Sequence, residues 1–64
     1  MVTVNGVPSE CAGSSIAKLV SDGGYQPQRV AVELNDQIVP KAQYDSTVVK
    51  DGDKVEIVGF VGGG

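Results

Sequence analysis

Histidine and tryptophan are absent from this 64-residue chain, and cysteine occurs once, at Cys11. A single cysteine excludes an intramolecular disulfide. With no histidine, it also excludes the usual zinc sites, the histidine-based triads and a cysteine-held iron–sulfur cluster. No metal site and no catalytic residue are therefore expected. A core at this length supplies only about 3–5 kcal/mol, which leaves little to carve an enclosed active site, so the chain is expected not to be an enzyme. Positive charge is also scarce: five Lys and Arg stand against eight Asp and Glu, a net charge of −3. Nucleic-acid binding needs clustered cations and is excluded, whereas docking on a basic protein partner is not. No apolar run nears the roughly 20 residues that cross a bilayer. The start of the chain lacks the basic, apolar, small-residue order of a signal peptide. No membrane association and a cytoplasmic location are expected. The length fits one domain.

What the chain has in quantity is valine: 12 Val and 3 Ile against 2 Leu. β-branched residues suit a pleated, half-buried surface. Val2 to Asn5 alternates as a first strand, Asn5-Gly6 marks a tight turn, and Val7 to Cys11 returns. Pro8 cannot donate to a ladder, so this strand belongs at an edge. Ser14 or Ser15 caps a short helix in which Ile16, Leu19 and Val20 share one face. Gly23 and Gly24 supply its left-handed stop. Pro27 breaks the connection that follows. Arg29 to Leu34 is a strand with Val30, Val32 and Leu34 on one side. Asn35-Asp36 turns into a short strand at Gln37 to Val39. Lys41 to Val49 has weak periodicity and is expected to wrap the sheet edge, with Tyr44 packed over that edge. Asp51-Gly52-Asp53 is a tight turn, lacking the further ligands of a calcium loop. Lys54 to Val61 is the last strand, with Val55 and Ile57 on one face and Glu56, Val58 and Phe60 on the other. One amphipathic helix among half-buried strands gives an α+β fold of β-grasp type. The expected sheet is mixed, of four to five strands, with the helix on one face and the first and last strands parallel neighbours.

The chain ends on Gly62, Gly63 and Gly64. The domain is expected over residues 1–61, with a flexible glycine tail at 62–64. Three glycines can thread a narrow channel, because no side chain clashes. The α-carboxyl has an ordinary pKa of about 3.3–3.7 and is ionised at neutral pH.

Val4-Asn5-Gly6, the run from Arg29 to Asn35 with Ile38-Val39-Pro40, and the run from Asp51 to Gly64 together resemble the ThiS-like sulfur carrier proteins of thiamine biosynthesis. The resemblance covers essentially the whole chain. It implies a ubiquitin-like β-grasp fold and a functional Gly63-Gly64 end. It implies that a ThiF-like adenylyltransferase uses ATP and Mg²⁺ to adenylate the Gly64 carboxylate, the carrier itself binding no cofactor. A sulfur relay, a cysteine desulfurase or similar, then makes a thiocarboxylate, and thiazole synthase takes the sulfur. Two departures stand out: Gly62 adds a third glycine, and Cys11-Ala12 occupy a stretch where polar residues are expected. The same terminal chemistry suits a carrier for molybdopterin or another metabolite. It also suits a modifier that conjugates to protein, and a binding domain with an idle tail remains open.

Val58 and Phe60 are the candidate docking residues, since the alternation turns them away from the helix beside the tail. Glu33, Asp36, Asp45, Asp51, Asp53 and Glu56 are solvated acids that can steer a basic partner. Cys11 reads as a small half-buried strand residue, with Glu10 beside it disfavouring a thiolate.

Overall fold

The computed structural model of the chain describes residues 1–59. Three tight turns organise its sheet. Asn5 and Gly6 both take positive φ, 51° and 80°, the pairing a two-residue hairpin demands. They join β1 (Val2–Val4) to β2 (Val7–Ser9) in antiparallel register, with Val4 opposite Val7. Asn35 and Asp36, at φ 52° and 68°, join β3 (Val30–Leu34) to β4 (Gln37–Ile38) in the same way. Gly52, at φ 93°, opens the way into β5 (Lys54–Gly59). The order across the sheet is β2-β1-β5-β3-β4. β5 is therefore central, parallel to β1 and antiparallel to β3. The Pro8 strand lies at the edge, where its missing N–H costs no ladder bond. This is the expected β-grasp arrangement.

The only α-helix among the described residues, α1 (Ile16–Asp22), is seven residues long, too short to persist without packing. Its first N–H groups lack intrahelical partners, and three find them elsewhere. Ser15 Oγ accepts from the Lys18 amide at 3.1 Å. The Thr47 and Tyr44 carbonyls accept from Ile16 and Ala17 at 2.8 and 2.9 Å. The segment between β4 and β5 is thus a cap for the helix, which explains why it carries no strand or helix periodicity. At the other end Tyr25 N–H reaches the Val20 carbonyl and Gly24 N–H reaches that of Ser21. The left-handed residue is Gly24, at φ 80°. Gly23 stays right-handed at φ −78° because its N–H still bonds Leu19, which corrects the expectation that both glycines turn left-handed. A Cβ on Gly23 would meet the Tyr25 ring at 2.7 Å, so a larger residue there must displace that part-exposed ring.

The core lies between α1 and one face of the sheet. It holds Val2, Ile16, Val20, Val30, Val32, Val39, Tyr44, Val49, Val55 and Ile57. Tyr44 is 5% exposed. It is inside the core rather than over the sheet edge, because the 3₁₀ turn Lys41–Gln43 carries the chain under α1. Burial pushes its phenol pKa up. Pro27 opens a 3₁₀ turn, Pro27–Arg29, instead of breaking structure, and Arg29 belongs to that turn rather than to β3. The returning strand stops at Ser9, leaving Cys11 half-buried against the core outside any strand. No helix among the described residues is long and apolar enough to cross a membrane.

Asp53 is buried rather than solvated and drops out of the set of steering acids. Its carboxylate accepts from the Lys50 amide at 2.9 Å and the Asn35 side-chain amide at 3.0 Å. Asn35 Oδ1 in turn accepts from the Lys54 amide at 2.9 Å. This latch ties the β3–β4 turn to the start of β5. The Lys50 amide and then the Asn35 amide hold the Asp53 carboxyl below its ordinary pKa, against the opposing effect of burial. A lowered folded pKa adds stability above the unfolded value of about 3.9 and loses it as pH falls through the folded one. Asp53→Asn removes the charge and that dependence. Its melting temperature is expected below wild type at neutral pH, with the gap closing as pH falls from about 6 to about 2. A gap that stays constant over that range would contradict the latch.

Candidate functional site

The end of β5 is the last described stretch of the chain; β1 and its turn hold the strand as far as Ile57, and β3 holds it to Gly59. On one side Val4 stands beside Val55, and Asn5 N–H bonds the Val55 carbonyl at 2.8 Å. The Asn5 side chain then continues the ladder where β1 has stopped: its Oδ1 accepts from the Ile57 amide at 2.7 Å. On the other side β3 pairs along the whole strand, up to Val30 opposite Gly59. The described end of β5 is thus anchored in the sheet, by both neighbours to Ile57 and by β3 to Gly59. The Asn5 side-chain bond was not foreseen in the residues; the Asn-Gly pair signals the turn but not where its side chain reaches.

Of the expected site residues, Val58 is on the far face of the sheet from α1 and is 56% exposed. Phe60, Gly62, Gly63 and Gly64 lie outside the described residues. The register gives that far face three rows. Lys54, Thr3 and Pro8 form the first, Glu56, Glu33 and Ile38 the second, and Val58 with Ala31 the third, nearest the end of β5. Ile38 is 72% exposed. It was not singled out in the sequence, although its alternation with the buried Val39 holds the signal.

The charges on this face are arranged unevenly. Lys54 Nζ meets Asp36 at 2.8 Å. That hydrogen bond, then the charges of Asp36, Glu56 and Glu33, hold its ammonium above the ordinary lysine pKa. Carboxylate oxygens of Glu33, Asp36 and Glu56 come within 4.8 Å of one another, and Lys54 supplies the positive charge beside them. Glu33 and Glu56 are directly opposed across β3 and β5, an arrangement that destabilises a sheet.

An open groove of about 260 Å³, lined by residues including Ser9, Glu10 and Asp51, lies at the start of β1. Because β1 and β5 run parallel, it is at the opposite end of the sheet from Gly59. Among the described residues Ser9 makes no side-chain hydrogen bond to Glu10 or Asp51, and the Asp51 carboxylate meets the Met1 ammonium. Cys11 is a free, half-buried cysteine packed against the core.

Comparison with known proteins is consistent across the whole chain. The model of the ThiS family matches residues 2–64. The chain is 31% identical over 64 residues to the sulfur carrier protein ThiS of Thermus thermophilus, covering 100% of both chains. It is 47% identical over 53 residues to a thiazole synthase of Paramagnetospirillum magneticum, covering 83% of this chain but spanning only 16% of that protein. Among solved structures, the crystal structure of the thiamine biosynthesis protein ThiS of Geobacter metallireducens superposes with a TM-score of 0.78 at 42% identity. That match covers 98% of this chain and 97% of the other.

Proposed function

The chain belongs to the ThiS family, and from that premise we propose that it is a non-catalytic sulfur carrier of thiamine biosynthesis. The Gly64 carboxylate is the loading point. A carboxylate is a poor acyl electrophile. A ThiF-like adenylyltransferase, using ATP and Mg²⁺, joins it to AMP with release of pyrophosphate. The mixed anhydride has a good leaving group. A sulfur nucleophile from a relay, a cysteine desulfurase or similar, displaces AMP; where it is a persulfide, a thiol of the relay then cleaves the S–S bond of the resulting acyl disulfide, forming a disulfide with the donor sulfur and freeing the Gly64 thiocarboxylate. Thiazole synthase then takes the sulfur. The carrier contributes a body that docks and an arm, Gly62-Gly63-Gly64, that reaches; acid–base groups and metal belong to its partners. Such a cycle, run on ATP, is work for the cytoplasm.

The observation that carries this reading is the family match, which runs through the terminal glycines to residue 64. The synthase partner is supported by the thiazole synthase that contains a segment similar to this chain, since joining two partners covalently raises their effective concentration. The reading is tested by intact mass. The chain incubated with the adenylyltransferase, ATP, Mg²⁺ and a sulfur source is expected to gain the difference between one sulfur and one oxygen, mapped to Gly64. Omitting ATP abolishes the gain. A chain that stays unchanged with every partner present contradicts the reading.

A further inference from the structure

Asn5-Gly6 is the one place in the chain where asparagine precedes glycine, and both residues are exposed at the tip of the β1–β2 hairpin. Such a pair carries a reaction of its own. The Gly6 nitrogen attacks Asn5 Cγ, unhindered by a side chain on glycine, and gives up its proton to water. An N–Cγ bond forms, the Cγ–Nδ2 bond breaks and ammonia leaves, closing a five-membered imide. Water then opens the imide at either carbonyl. Breaking the bond to Cγ leaves an ordinary aspartate. Breaking the bond to the main-chain carbonyl carbon leaves an isoaspartate, in which the chain runs through Cβ and Cγ. In sum one water is consumed and one ammonia released, with no oxidant and no metal.

The folded turn opposes ring closure. Closure needs the Asn5 Cβ and the Gly6 nitrogen eclipsed about the Asn5 Cα–C bond. With φ of 51° and 80° the two residues make a type I′ turn, in which the first central residue has ψ of about 30°. For an L-residue that angle sets Cβ and the next nitrogen nearly opposite each other. β5 fastens the arrangement twice. Asn5 N–H bonds the Val55 carbonyl at 2.8 Å, and Asn5 Oδ1 accepts from the Ile57 amide at 2.7 Å. The reaction therefore passes through chains whose hairpin tip has come off β5. Its product blocks the return. An isoaspartate adds one atom to the main chain of a two-residue turn whose register sets Val4 opposite Val7, and the oxygen that held Ile57 becomes part of that main chain. Asn35 supplies the contrast. It precedes Asp36 rather than glycine, and both ends of its side chain are bonded, to the Asp53 carboxylate and the Lys54 amide.

We propose that Asn5-Gly6 is a deamidation site that the folded hairpin holds closed, and that isoaspartate formed there when the tip opens parts Asn5 from Ile57 irreversibly, marking chains that have opened. The proposal goes beyond the carrier reading and does not depend on it. It is tested on the full chain at mildly alkaline pH, where loss of the Gly6 amide proton is faster, in native buffer and in guanidinium chloride. Intact mass and peptide mapping follow the reaction. Both samples are expected to gain the difference between an oxygen and an NH group, at Asn5 and not at Asn35. The native chain should react at least about tenfold more slowly, since local opening must come first. The isolated isoaspartate chain should exchange its Ile57 amide hydrogen at least about tenfold faster than wild type. Asn5→Asp, which keeps the accepting oxygen and the length of the turn, should exchange it near the wild-type rate. Equal rates in the two buffers overturn the proposal, as does an unfolded chain that gains nothing at Asn5. An isoaspartate chain with wild-type exchange at Ile57 overturns it too. None of these results bears on sulfur loading of the unmodified chain, so the carrier reading stands or falls separately.

Discussion

A chain that stops at Gly62 is expected to fold like the wild type and to lose sulfur loading. The two halves of this result have separate physical origins. Folding depends on a core that runs from Val2 to Ile57, and neither Gly63 nor Gly64 contributes a side chain to it. Loading depends on reach. Each extended residue spans about 3.3–3.6 Å, so removing two withdraws the carboxylate by about 7 Å. The reacting atoms must come within about 3–3.5 Å, and misplacement by about 1 Å already costs on the order of a hundredfold. The truncated chain still ends in a glycine carboxylate of the same intrinsic chemistry, so the variant isolates position from reactivity. The measurements are intact mass after incubation with the adenylyltransferase, ATP, Mg²⁺ and a sulfur source, alongside a thermal melt. The expected pattern is an unchanged melt and no mass gain. Loading at the wild-type rate would show that the position of the terminal carboxylate does not matter, and the carrier reading would fail with it.

Most of the fold was legible in the residues because its signals are local. Asn5-Gly6 and Asn35-Asp36 demand positive φ and give the two hairpins. A serine cap was legible, with the structure choosing Ser15 over Ser14, and Ile16 and Val20 give a buried stripe one turn apart. Val30 and Val32, like Val55 and Ile57, alternate with exposed or half-buried neighbours. What could not be read is what depends on contacts distant along the chain. Residues 41–49 carry no period because their structure is dictated by the helix start they cap, through Tyr44 and Thr47 carbonyls. Asp53 looks like any acid in a turn until Asn35, 18 residues away, is seen beside it. The site divides in the same way. The glycine end was conspicuous as composition, and Val58 followed from alternation. Ile38 joins Val58 only once β3 is known to lie between β4 and β5.

Ile16→Ala is expected to remove most of the stability of the domain. Ile16 is fully buried at the first position of α1, and among the described residues the buried core it enters is made of Val, Ile and one Tyr. Truncating a buried isoleucine to alanine costs about 2–5 kcal/mol, from lost transfer energy and from the cavity left behind. A core in a chain this small leaves about 3–5 kcal/mol in total. The two ranges overlap, so the loss is of the same order as the whole. The neighbourhood has little capacity to collapse into the gap. β-branched side chains are stiff, and the helix end is tied by Ser15, Thr47 and Tyr44. Ile16→Val, which keeps the branch and removes one methyl, calibrates the measurement at about 0.5–1.5 kcal/mol. At about 4–8 °C per kcal/mol for a domain of this size, Ile16→Val should melt several degrees below wild type. Ile16→Ala should show at most a shallow, early transition. Urea unfolding followed by circular dichroism separates this from a mere change in helix content, because loss of the core lowers the midpoint for sheet and helix signals together. An Ile16→Ala chain that melts within a few degrees of wild type would mean that α1 does not depend on its packing. A seven-residue helix standing on its own propensity runs against the cost of helix nucleation. The functional consequence follows from mass action: only the folded fraction presents a docking face, so sulfur loading at a fixed partner concentration should fall in proportion to the folded population.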